Sequence, residues 1–409
     1  MKKVCLVSPG HVASNPRLVK EANALVEAGY EVCVVAGDMA PFVRPLDESL
    51  LASVDWTCDR VGLGTRPIYI WRKLKQKLAR TIFKLGFKNI IVAMWAHSQI
   101  SDSLAQMAIA QPADLYIAHC LAALPAAEIA AKKHNAKLGF DAEDFHIGEL
   151  AENPENKLEI DIRDYIERML LPCCNYLTAA SPMIADAYAE RYGVEIKPIL
   201  NVFPLSEAPT EKEKNIRKER FSLYWFSQTI GAGRGIESIV CAMGQMRTSV
   251  DLYLRGTPAS GYVEELTQLA HQMRVSDRIH ILPSAPPSEM ARLASDYDVG
   301  LSIELNQPLN RSICLTNKIF TYLLAGLPVI LSKTPAQQEL SYQLGEAAIL
   351  IDIDDAYAIA MTLDNFFSDP LKVTISRFKA QELSHKVYNW DIEKYKFLSV
   401  VGSALQLVD

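Results

Sequence analysis

Hydrophobic positions along the chain fall into two alternating patterns: short apolar runs, and longer segments with an apolar residue every three or four positions. Lys3–Ser8 is an apolar run typical of a strand, and the segment from Pro16 carries its apolar residues on one helical face until Gly29. Glu31–Ala36 alternates little, as does a parallel strand that is covered on both faces. The start of the chain therefore predicts a βαβ unit.

The same succession of strand and helix patterns continues to the C-terminus and is interrupted by the polar connector Ser206–Lys218. It predicts an α/β chain of two doubly wound, Rossmann-like domains, with a ligand-binding cleft between the carboxyl ends of their parallel sheets. The predicted domains are residues 1–204 and 219–385, and the predicted helix over 386–409 packs back towards the first domain. The other predicted strands are Leu115–Ala118, Leu138–Asp141, Tyr176–Ala179, Ile196–Leu200, Leu223–Phe226, Asp251–Arg255, Arg278–Leu282, Val299–Ile303, Pro328–Leu331 and Ala347–Ile351.

Composition and charge narrow the classes of function. The chain has 409 residues, of which 49% are hydrophobic, enough for a large core, and its net charge of −6 disfavours a general nucleic-acid binder. No apolar run reaches the roughly 18 to 20 residues that span a bilayer, and the run after Met1 is too short for a signal peptide. The eight cysteines lack the spacing of zinc or redox pairs. We therefore expect a cytoplasmic protein without structural disulfides, metal or cofactor.

A predicted helix that begins at Asn317 is a candidate phosphate site. Thr316 is suited to cap this helix, the backbone N–H groups of its first turn favour an anion, and Lys318 adds a full positive charge. Gly326 ends the helix before the next strand. The alternative is an ordinary βαβ crossover with a lysine on its surface.

A glycine-rich loop, residues 231–235, offers a second cation in the same predicted domain. It follows the predicted strand Leu223–Phe226 and precedes a helix, and its three glycines let the backbone approach a ligand closely. Arg234 lies between two of them and can bind phosphate oxygens through a bidentate fork. The glycine spacing matches neither a Walker A loop nor a dinucleotide fingerprint. The prediction of a phosphate site therefore depends on two strand-to-helix junctions that each carry a cation, Arg234 in one and Lys318 in the other, and these are called the cationic junctions below.

The segment Asn317–Val329, downstream of Gly233–Glu237, resembles the nucleotide-binding domain of GT-B glycosyltransferases, and most closely that of family 4 in the glycosyltransferase classification. The N-terminal segments Ser8–His11, Asn15–Leu18 and Ala28–Val32 fit the first βαβ unit of that family, so the resemblance covers nearly the whole chain. It implies a GT-B fold and the transfer of a sugar, with retention, from a nucleotide-sugar donor to a glycan or lipid-linked acceptor in cell-surface polysaccharide biosynthesis. It further implies a hexosyltransferase without a catalytic metal, in which the first domain binds the acceptor and the second binds the nucleotide sugar.

The resemblance also implies roles for individual residues. Arg234 and Lys318 would stabilise the diphosphate leaving group, and His119, at the end of a strand, would lie beside the donor sugar. The alternative for His119 is a buried histidine bonded to the backbone. The candidate donor-binding residues are Gly10, Gly233, Glu304, Leu315, Thr316, Asn317, Thr321 and Glu339.

The chain departs from the family at its Glu-x7-Glu motif, whose second glutamate binds the donor ribose. Alignment on Gly326 places Ile313 and Thr321 at the two glutamate positions. Glu304 is the nearest upstream carboxylate and could contact the donor sugar from the end of its strand. Glu339 stands where the family often has a glutamate after the next strand, although helix capping would explain it equally well.

A cluster of ionisable residues follows the strand that ends at Asp141 and could serve the acceptor. It could supply a general base for the acceptor hydroxyl or bind acceptor hydroxyls by hydrogen bonds. Such residues can also bind a metal, but the resemblance to enzymes without a catalytic metal favours acceptor binding. The alternative is a solvated capping segment. The candidate acceptor-binding residues are His11, Asp141, Glu143, Asp144 and His146.

From Arg60 to Ser101 the chain has no acidic residue, and basic residues interleave with aliphatic and aromatic ones. This pattern over residues 60–88 suits a surface that lies on anionic lipid, which would place the protein on the inner face of the plasma membrane. Related glycosyltransferases often use such a region to reach lipid-linked acceptors. The alternative is an internal helix pair with a solvated basic face.

Two other functions remain open for this chain. A nucleotide-sugar epimerase of the same fold would release an epimerised donor or a free sugar without any acceptor. A non-catalytic protein that binds nucleotide sugars is suggested by the missing ribose glutamate at Thr321.

Overall fold

The computed structural model describes residues 1–210 and 220–406, which divide into two compact units. One unit comprises Met1–Ile199 and the C-terminal segment from Lys394, and the other comprises Leu200–Glu393. The predicted connector lies outside the described residues from position 211 onwards, as do position 219 and the last three residues of the predicted C-terminal helix.

The first unit is built on a seven-stranded parallel sheet in the order β3-β2-β1-β4-β5-β6-β7. Helices alternate with these strands along the chain, and the final helix α17 (Trp390–Gln406) belongs to this unit from Lys394. The strands are β1 Lys3–Ser8, β2 Glu31–Asp38, β3 Thr57–Gly62, β4 Leu115–His119, β5 Lys137–Ala142, β6 Tyr176–Ala179 and β7 Lys197–Pro198. The helices are α1 Pro16–Glu27, α2 Arg44–Leu51, α3 Arg66–Lys84, α4 Ile90–His97, α5 Ser101–Ile109, α6 Leu124–His134, α7 Lys157–Leu170 and α8 Pro182–Tyr192.

The second unit contains a six-stranded parallel sheet in the order β10-β9-β8-β11-β12-β13. Its central strands are buried, as the continuous apolar runs predict. The strands are β8 Phe221–Ile230, β9 Val250–Pro258, β10 Ile279–Leu282, β11 Val299–Ser302, β12 Val329–Ser332 and β13 Ala348–Ile351. The helices are α9 Ile236–Met243, α10 Tyr262–Gln272, α11 Met290–Ala294, α12 Leu309–Ile313, α13 Asn317–Leu324, α14 Pro335–Leu344, α15 Ala356–Phe367 and α16 Pro370–Lys386.

The prediction of two doubly wound, Rossmann-like α/β domains is confirmed. Local signals account for much of it: Asn15 caps α1 by accepting the N–H of Leu18 at 3.0 Å, and Pro16 occupies the first helical position. The strand β3 was not predicted, because its side chains include the charged Asp59 and Arg60 and give no continuous apolar run. The predicted strand Ile196–Leu200 shortens to the two residues of β7.

The strand order reverses between β1 and β4 in the first sheet and between β8 and β11 in the second. In open parallel sheets, ligands bind at such a switch point, outside the carboxyl ends of the strands, because the two neighbouring connections leave on opposite faces. Each unit therefore has one edge where functional side chains are expected.

Candidate functional site

The glycine loop, residues 231–235, connects β8 to α9 at the switch point of the second sheet. Gly233 and Gly235 have φ angles of +70° and +74°, which a residue with a Cβ adopts only with strain. A Cβ on Gly235 would also lie 3.2 Å from the side chain of Ile353. The loop is thus fixed in a shape that depends on glycine, and it presents Arg234, which is partly exposed.

The neighbouring strand β11 leads to the second cationic junction. Gly300 in β11 lets α13 lie close to the sheet, because a Cβ there would fall 2.2 Å from the ring of Tyr322. Lys318, in the first turn of α13, places its Nζ 2.9 Å from Oε1 of Glu304, just beyond β11. Both side chains are buried, so each neutralises the other away from bulk water.

A chain of hydrogen bonds surrounds this ion pair. The backbone N–H of Glu304 donates to Ser332 Oγ at 2.8 Å, and Ser332 in turn contacts Gln337 Oε1. Gln337 Nε2 donates to Ser302 Oγ at 3.2 Å, and the hydroxyl of Ser302 lies 3.1 Å from that of Thr316. The network holds the heads of α13 and α14 against β11 and β12.

One detail predicted for the donor site, the capping role of Thr316, is corrected by this geometry. Thr316 stands at the N-cap of α13, but its hydroxyl pairs with Ser302 and does not cap the helix. Thr321 is buried and its Oγ1 donates to the carbonyl of Asn317 at 3.0 Å, and its place in the donor site stays a prediction. Leu315 is also buried, whereas Asn317 is partly exposed at the helix head.

Glu339 and Gly10 lie apart from these networks. Glu339 is exposed on α14, two positions beyond the buried Gln337, which sequence reasoning missed. Gly10 is partly exposed after β1, and its N–H donates to Ser8 Oγ at 3.3 Å. Neither residue contacts the Glu304–Lys318 pair through any hydrogen bond of the described residues.

A buried charge cluster occupies the switch point of the first sheet. The guanidinium of Arg17 on α1 holds Asp141 at the end of β5 through two hydrogen bonds, and its Nη1 donates to the carbonyl of Ile199 at 2.6 Å. Asp141 also accepts the hydroxyl of Thr178 at 2.9 Å. Asp141 is therefore buried and hydrogen-bonded inside the unit, and its role in binding an acceptor stays a prediction.

His119, at the end of β4, lies in the same cluster with no exposed surface. Its Nε2 is 3.3 Å from Glu21 Oε2, and its Nδ1 is 3.1 Å from Glu143 Oε1. Burial disfavours the imidazolium, but the neighbouring carboxylates outweigh it and raise the pKa of His119 to about 10. At neutral pH His119 is therefore a buried cation whose partners are carboxylates, which corrects the alternative of a backbone-bonded histidine, and its contact with the donor sugar stays a prediction.

The same charges act on the two glutamates in opposite directions. Burial and the charge of Asp141 raise the pKa of Glu21, whereas His119 outweighs burial and lowers the pKa of Glu143. Glu143 also accepts a hydrogen bond of 2.6 Å from Asn15 Nδ2, and its side chain remains 20% exposed. Glu143 is thus the ionised, outward end of the cluster.

Glu21, His119 and Asp141 place three possible metal-ligating atoms within 4.8 Å of one another. The Arg17 guanidinium already lies against both carboxylates, 3.4 Å from Glu21 Oε1 and directly bonded to Asp141. This permanent cation supplies the positive charge that a metal would bring, and it would repel one. The chemistry of the cluster therefore favours a structural charge network.

The two other predicted histidines are also engaged inside the first unit. His11 places its Nδ1 2.6 Å from Asp47 Oδ2, and its Nε2 accepts the N–H of Ala40 at 2.8 Å. His146 contacts the hydroxyl of Tyr188 at 2.7 Å through Nδ1 and accepts the N–H of Leu121 through Nε2. Both rings are buried and both nitrogens of each ring make contacts inside the unit, so their acceptor role stays a prediction.

Asp144 remains partly exposed beside Glu143 in the loop after β5. Of the predicted acceptor residues, therefore, these two carboxylates are the ones that keep a surface for a ligand. The buried members of the cluster, Arg17 and Glu21, were missed from sequence. Their signal was a pair of charges four residues apart on the otherwise apolar face of α1.

Comparison with solved structures of other proteins identifies the fold. No protein-family model matches the chain, and no curated protein matches its sequence. Solved structures do match: Anabaena Alr3699/HepE in complex with UDP-glucose has a TM-score of 0.73 at 15% identity, with 98% of this chain and 100% of that chain covered. The chain has the GT-B fold. The two cationic junctions, at Arg234 and Lys318, therefore lie in the second sheet of a GT-B fold.

Two further GT-B structures support the same fold assignment. Sucrose-phosphate synthase from Thermosynechococcus elongatus has a TM-score of 0.71 at 15% identity, over 98% of this chain and 99% of that one. The lipopolysaccharide outer core galactosyltransferase WaaB in its apo form has a TM-score of 0.62 at 11% identity, over 98% and 99%. At these identities the likeness establishes the fold, and membership of family 4 stays a prediction.

Proposed function

We propose that this protein is a glycosyltransferase that takes a sugar from a nucleotide-sugar donor and holds the donor diphosphate at the switch point of the second sheet. The observation that carries the proposal is the placement of Arg234 and Lys318 at two junctions that follow adjacent strands, β8 and β11, in a GT-B fold. Parallel sheets bind ligands at this edge, and cations there suit a diphosphate. The matched structure of HepE, which contains UDP-glucose, supports a donor of this class.

Each residue of the junctions has a role in this proposal. Arg234 and Lys318 stabilise the diphosphate as it leaves with the electron pair of the bond to the anomeric carbon. Glu304, released from Lys318 by the diphosphate, accepts hydrogen bonds from hydroxyls of the donor sugar. Backbone N–H groups at Asn317 complete the contact with the phosphates.

We assign the acceptor to the first unit, at Glu143 and Asp144. The lowered pKa of Glu143 makes its carboxylate a weak base but a good hydrogen-bond acceptor, so it orients the acceptor hydroxyl. His119 is protonated and provides no base. The oxygen of the acceptor hydroxyl bonds to the anomeric carbon, and its proton passes to the departing diphosphate. A proton transfer of this kind requires attack on the face that the diphosphate leaves, and therefore retention of configuration.

Product analysis tests the proposal against its two rivals. Purified protein is incubated with a nucleotide sugar in the presence and absence of glycan or lipid-linked acceptors, and the products are separated by chromatography. A transferase releases nucleoside diphosphate faster when an acceptor is present and forms a larger glycan. An epimerised donor without acceptor dependence would identify an epimerase, and binding without any product would identify a non-catalytic protein.

Helix α3 supports a second part of the proposal, namely that the acceptor is reached at a membrane. No helix of the described residues is long and apolar enough to cross a bilayer. On α3, however, Trp71, Leu74 and Leu78 point outward and are 59%, 60% and 62% exposed. Surface helices of globular proteins normally bury such a stripe, so this exposed face indicates an interaction surface.

The charges of α3 support anionic lipid as the partner of this face. The inward side of the helix is held by polar contacts, among them an ion pair of Lys75 with Asp102 and one of Arg80 with Glu159. The outward side carries exposed lysines between the apolar residues and no carboxylate. We propose that this face lies on anionic phospholipid at the inner side of the plasma membrane, where a lipid-linked acceptor for cell-surface polysaccharide would be found. Helix α3 also packs against α4, where the guanidinium of Arg80 donates to the carbonyl of Ala96 at 3.2 Å. A lack of vesicle binding would therefore support the alternative of a helix pair with a solvated basic face.

Replacing Leu74 and Leu78 together by glutamine is expected to weaken vesicle binding by at least about tenfold, because both side chains would leave the lipid interface. Sedimentation with vesicles of phosphatidylglycerol and phosphatidylcholine measures the change. The matched control replaces Leu371 and Ile375, two exposed residues at the same spacing on α16. Equal vesicle binding by the α3 variant and the α16 control would contradict the proposal that α3 contacts lipid. Equal binding of the wild type to vesicles with and without phosphatidylglycerol would contradict the proposed preference for anionic lipid. If the α3 variant lost self-association and vesicle binding did not change, the partner of this face would be a second copy of the chain.

A further inference from the structure

The positive charge at the donor edge of the second sheet does not come from Lys318. In this structure its ammonium group is paired with Glu304 at 2.9 Å, and the buried pair has no net charge. Arg234 differs, because its side chain has no hydrogen bond or ion pair to any residue that the structure describes. An anion at this edge therefore meets one uncompensated guanidinium in the glycine loop.

Arg311 supplies a second guanidinium at the same place. It lies on α12, within the connection from β11 to α13, and its Nη1 donates to the carbonyl of Gly233 at 2.6 Å. Gly233 directly precedes Arg234, so Arg311 joins the two cationic junctions of the sheet. The side chain is partly exposed, and no carboxylate among the described residues forms an ion pair with it.

The chemistry of the guanidinium leaves donors available for a ligand. An arginine side chain carries five N–H groups in a rigid planar fork, and the bond to Gly233 uses one of them. The free edge of such a fork matches two oxygens of a phosphate. Two arginines without carboxylate partners at one edge of a sheet repel each other unless an anion lies between or beside them.

We infer that Arg311 is a further ligand of the donor diphosphate and acts together with Arg234. This inference rests on the proposed function, because it names a residue of the same donor site. Arg311 fixes the glycine loop through the carbonyl of Gly233 and directs its remaining N–H groups to phosphate oxygens. Lys318 joins the site when the diphosphate draws it from Glu304, so the two arginines provide the attraction for the incoming anion.

Replacing Arg311 by methionine tests this role. The equilibrium dissociation constants of nucleoside diphosphate, inorganic pyrophosphate and the parent nucleoside are measured by calorimetry for wild type and variant. We expect the variant to bind the diphosphate and pyrophosphate at least about tenfold more weakly, as for loss of hydrogen bonds to a charged group, with nucleoside binding unchanged. Arg311→Lys should recover part of the loss because it keeps the charge. Arg292→Met is the control, since Arg292 is an exposed arginine of the same unit that pairs with Glu289 at 2.7 Å.

The outcomes separate this inference from the proposed function. Equal phosphate binding by Arg311→Met and Arg292→Met would overturn the inference while the proposed function stood. A variant that loses nucleoside and diphosphate affinity in equal measure would show a purely structural role and would also overturn it. Pyrophosphate binding that depends on Arg311, without any binding of nucleoside diphosphates, would support the inference and contradict the proposed function. If the wild type bound neither nucleoside diphosphate nor pyrophosphate, the inference and the proposed function would both be overturned.

Discussion

Replacing Glu304 by glutamine is expected to strengthen the binding of nucleoside diphosphate and to slow sugar transfer. In this structure the Glu304 carboxylate accepts a hydrogen bond of 2.9 Å from the Lys318 ammonium, so a diphosphate must compete for that ammonium. Glutamine keeps the shape of the side chain but removes the competing charge, and we expect diphosphate affinity to rise by about tenfold. The same change removes the carboxylate proposed to bind the sugar hydroxyls, and turnover should fall by about 10²-fold.

The opposite signs of the two effects make this prediction specific. Calorimetric titration gives the affinity for nucleoside diphosphate, and release of nucleoside diphosphate from the nucleotide sugar gives the turnover. Glu264→Gln is the control, because Glu264 is an exposed carboxylate on α10 of the same unit. Weaker diphosphate binding in Glu304→Gln would show that Glu304 supports the phosphate site and would contradict the exchange of partners proposed for Lys318.

Replacing Arg17 by methionine is expected to lower the free energy of unfolding of the first unit by about 3–5 kcal/mol. Arg17 is buried against Asp141 and Glu21, and its removal would leave the carboxylates of the cluster with His119 as their one remaining cation among the residues of the cluster described above. Glu21→Gln should be much milder, because burial and Asp141 already raise the pKa of Glu21 and so disfavour its charged form.

Thermal unfolding followed by circular dichroism measures both variants. Since the chain has two compact units, the transition of each must be analysed separately. Arg168→Met is the control: Arg168 pairs with Asp164 at 2.8 Å, but its side chain is about half exposed, and such pairs contribute little. An Arg17→Met variant as stable as Arg168→Met would contradict the view that the cluster is a structural charge network.

The fold was largely predictable because its signals are local. Buried parallel strands leave continuous apolar runs, and helix ends leave Asn15-Pro16 or Gly29 in the sequence. Strand β3 escaped prediction because charged residues interrupt its apolar pattern, so the pairing with β2 decides its structure. The position of Thr316 in the sequence predicts that its hydroxyl caps α13, but the hydroxyl lies 3.1 Å from that of Ser302 on β11 and pairs with it instead.

The site was only partly predictable because its contacts join distant parts of the chain. The glycine loop and Lys318 stand out locally, but the pairing of Lys318 with Glu304 depends on how α13 packs on β11. His119 has the sequence context of a ligand-binding residue, yet Glu21 on α1 and Glu143 after β5 enclose it. Arg311 belongs to no recognisable motif, because its place beside the glycine loop depends on its hydrogen bond to the carbonyl of Gly233, 78 positions earlier.

The central claim, that the second unit binds a nucleotide sugar through its cationic junctions, is tested most directly by thermal shift. Purified protein is heated with UDP-, GDP-, ADP- or CMP-sugars, alongside a variant with Arg234 and Lys318 both replaced by methionine. A ligand that binds only the folded protein stabilises it by about 2.7 kcal/mol at a hundred times its dissociation constant. We predict that one nucleotide class raises the unfolding temperature of the wild type and leaves that of the variant unchanged. No shift with any nucleotide sugar, or an equal shift in the variant, would contradict the account.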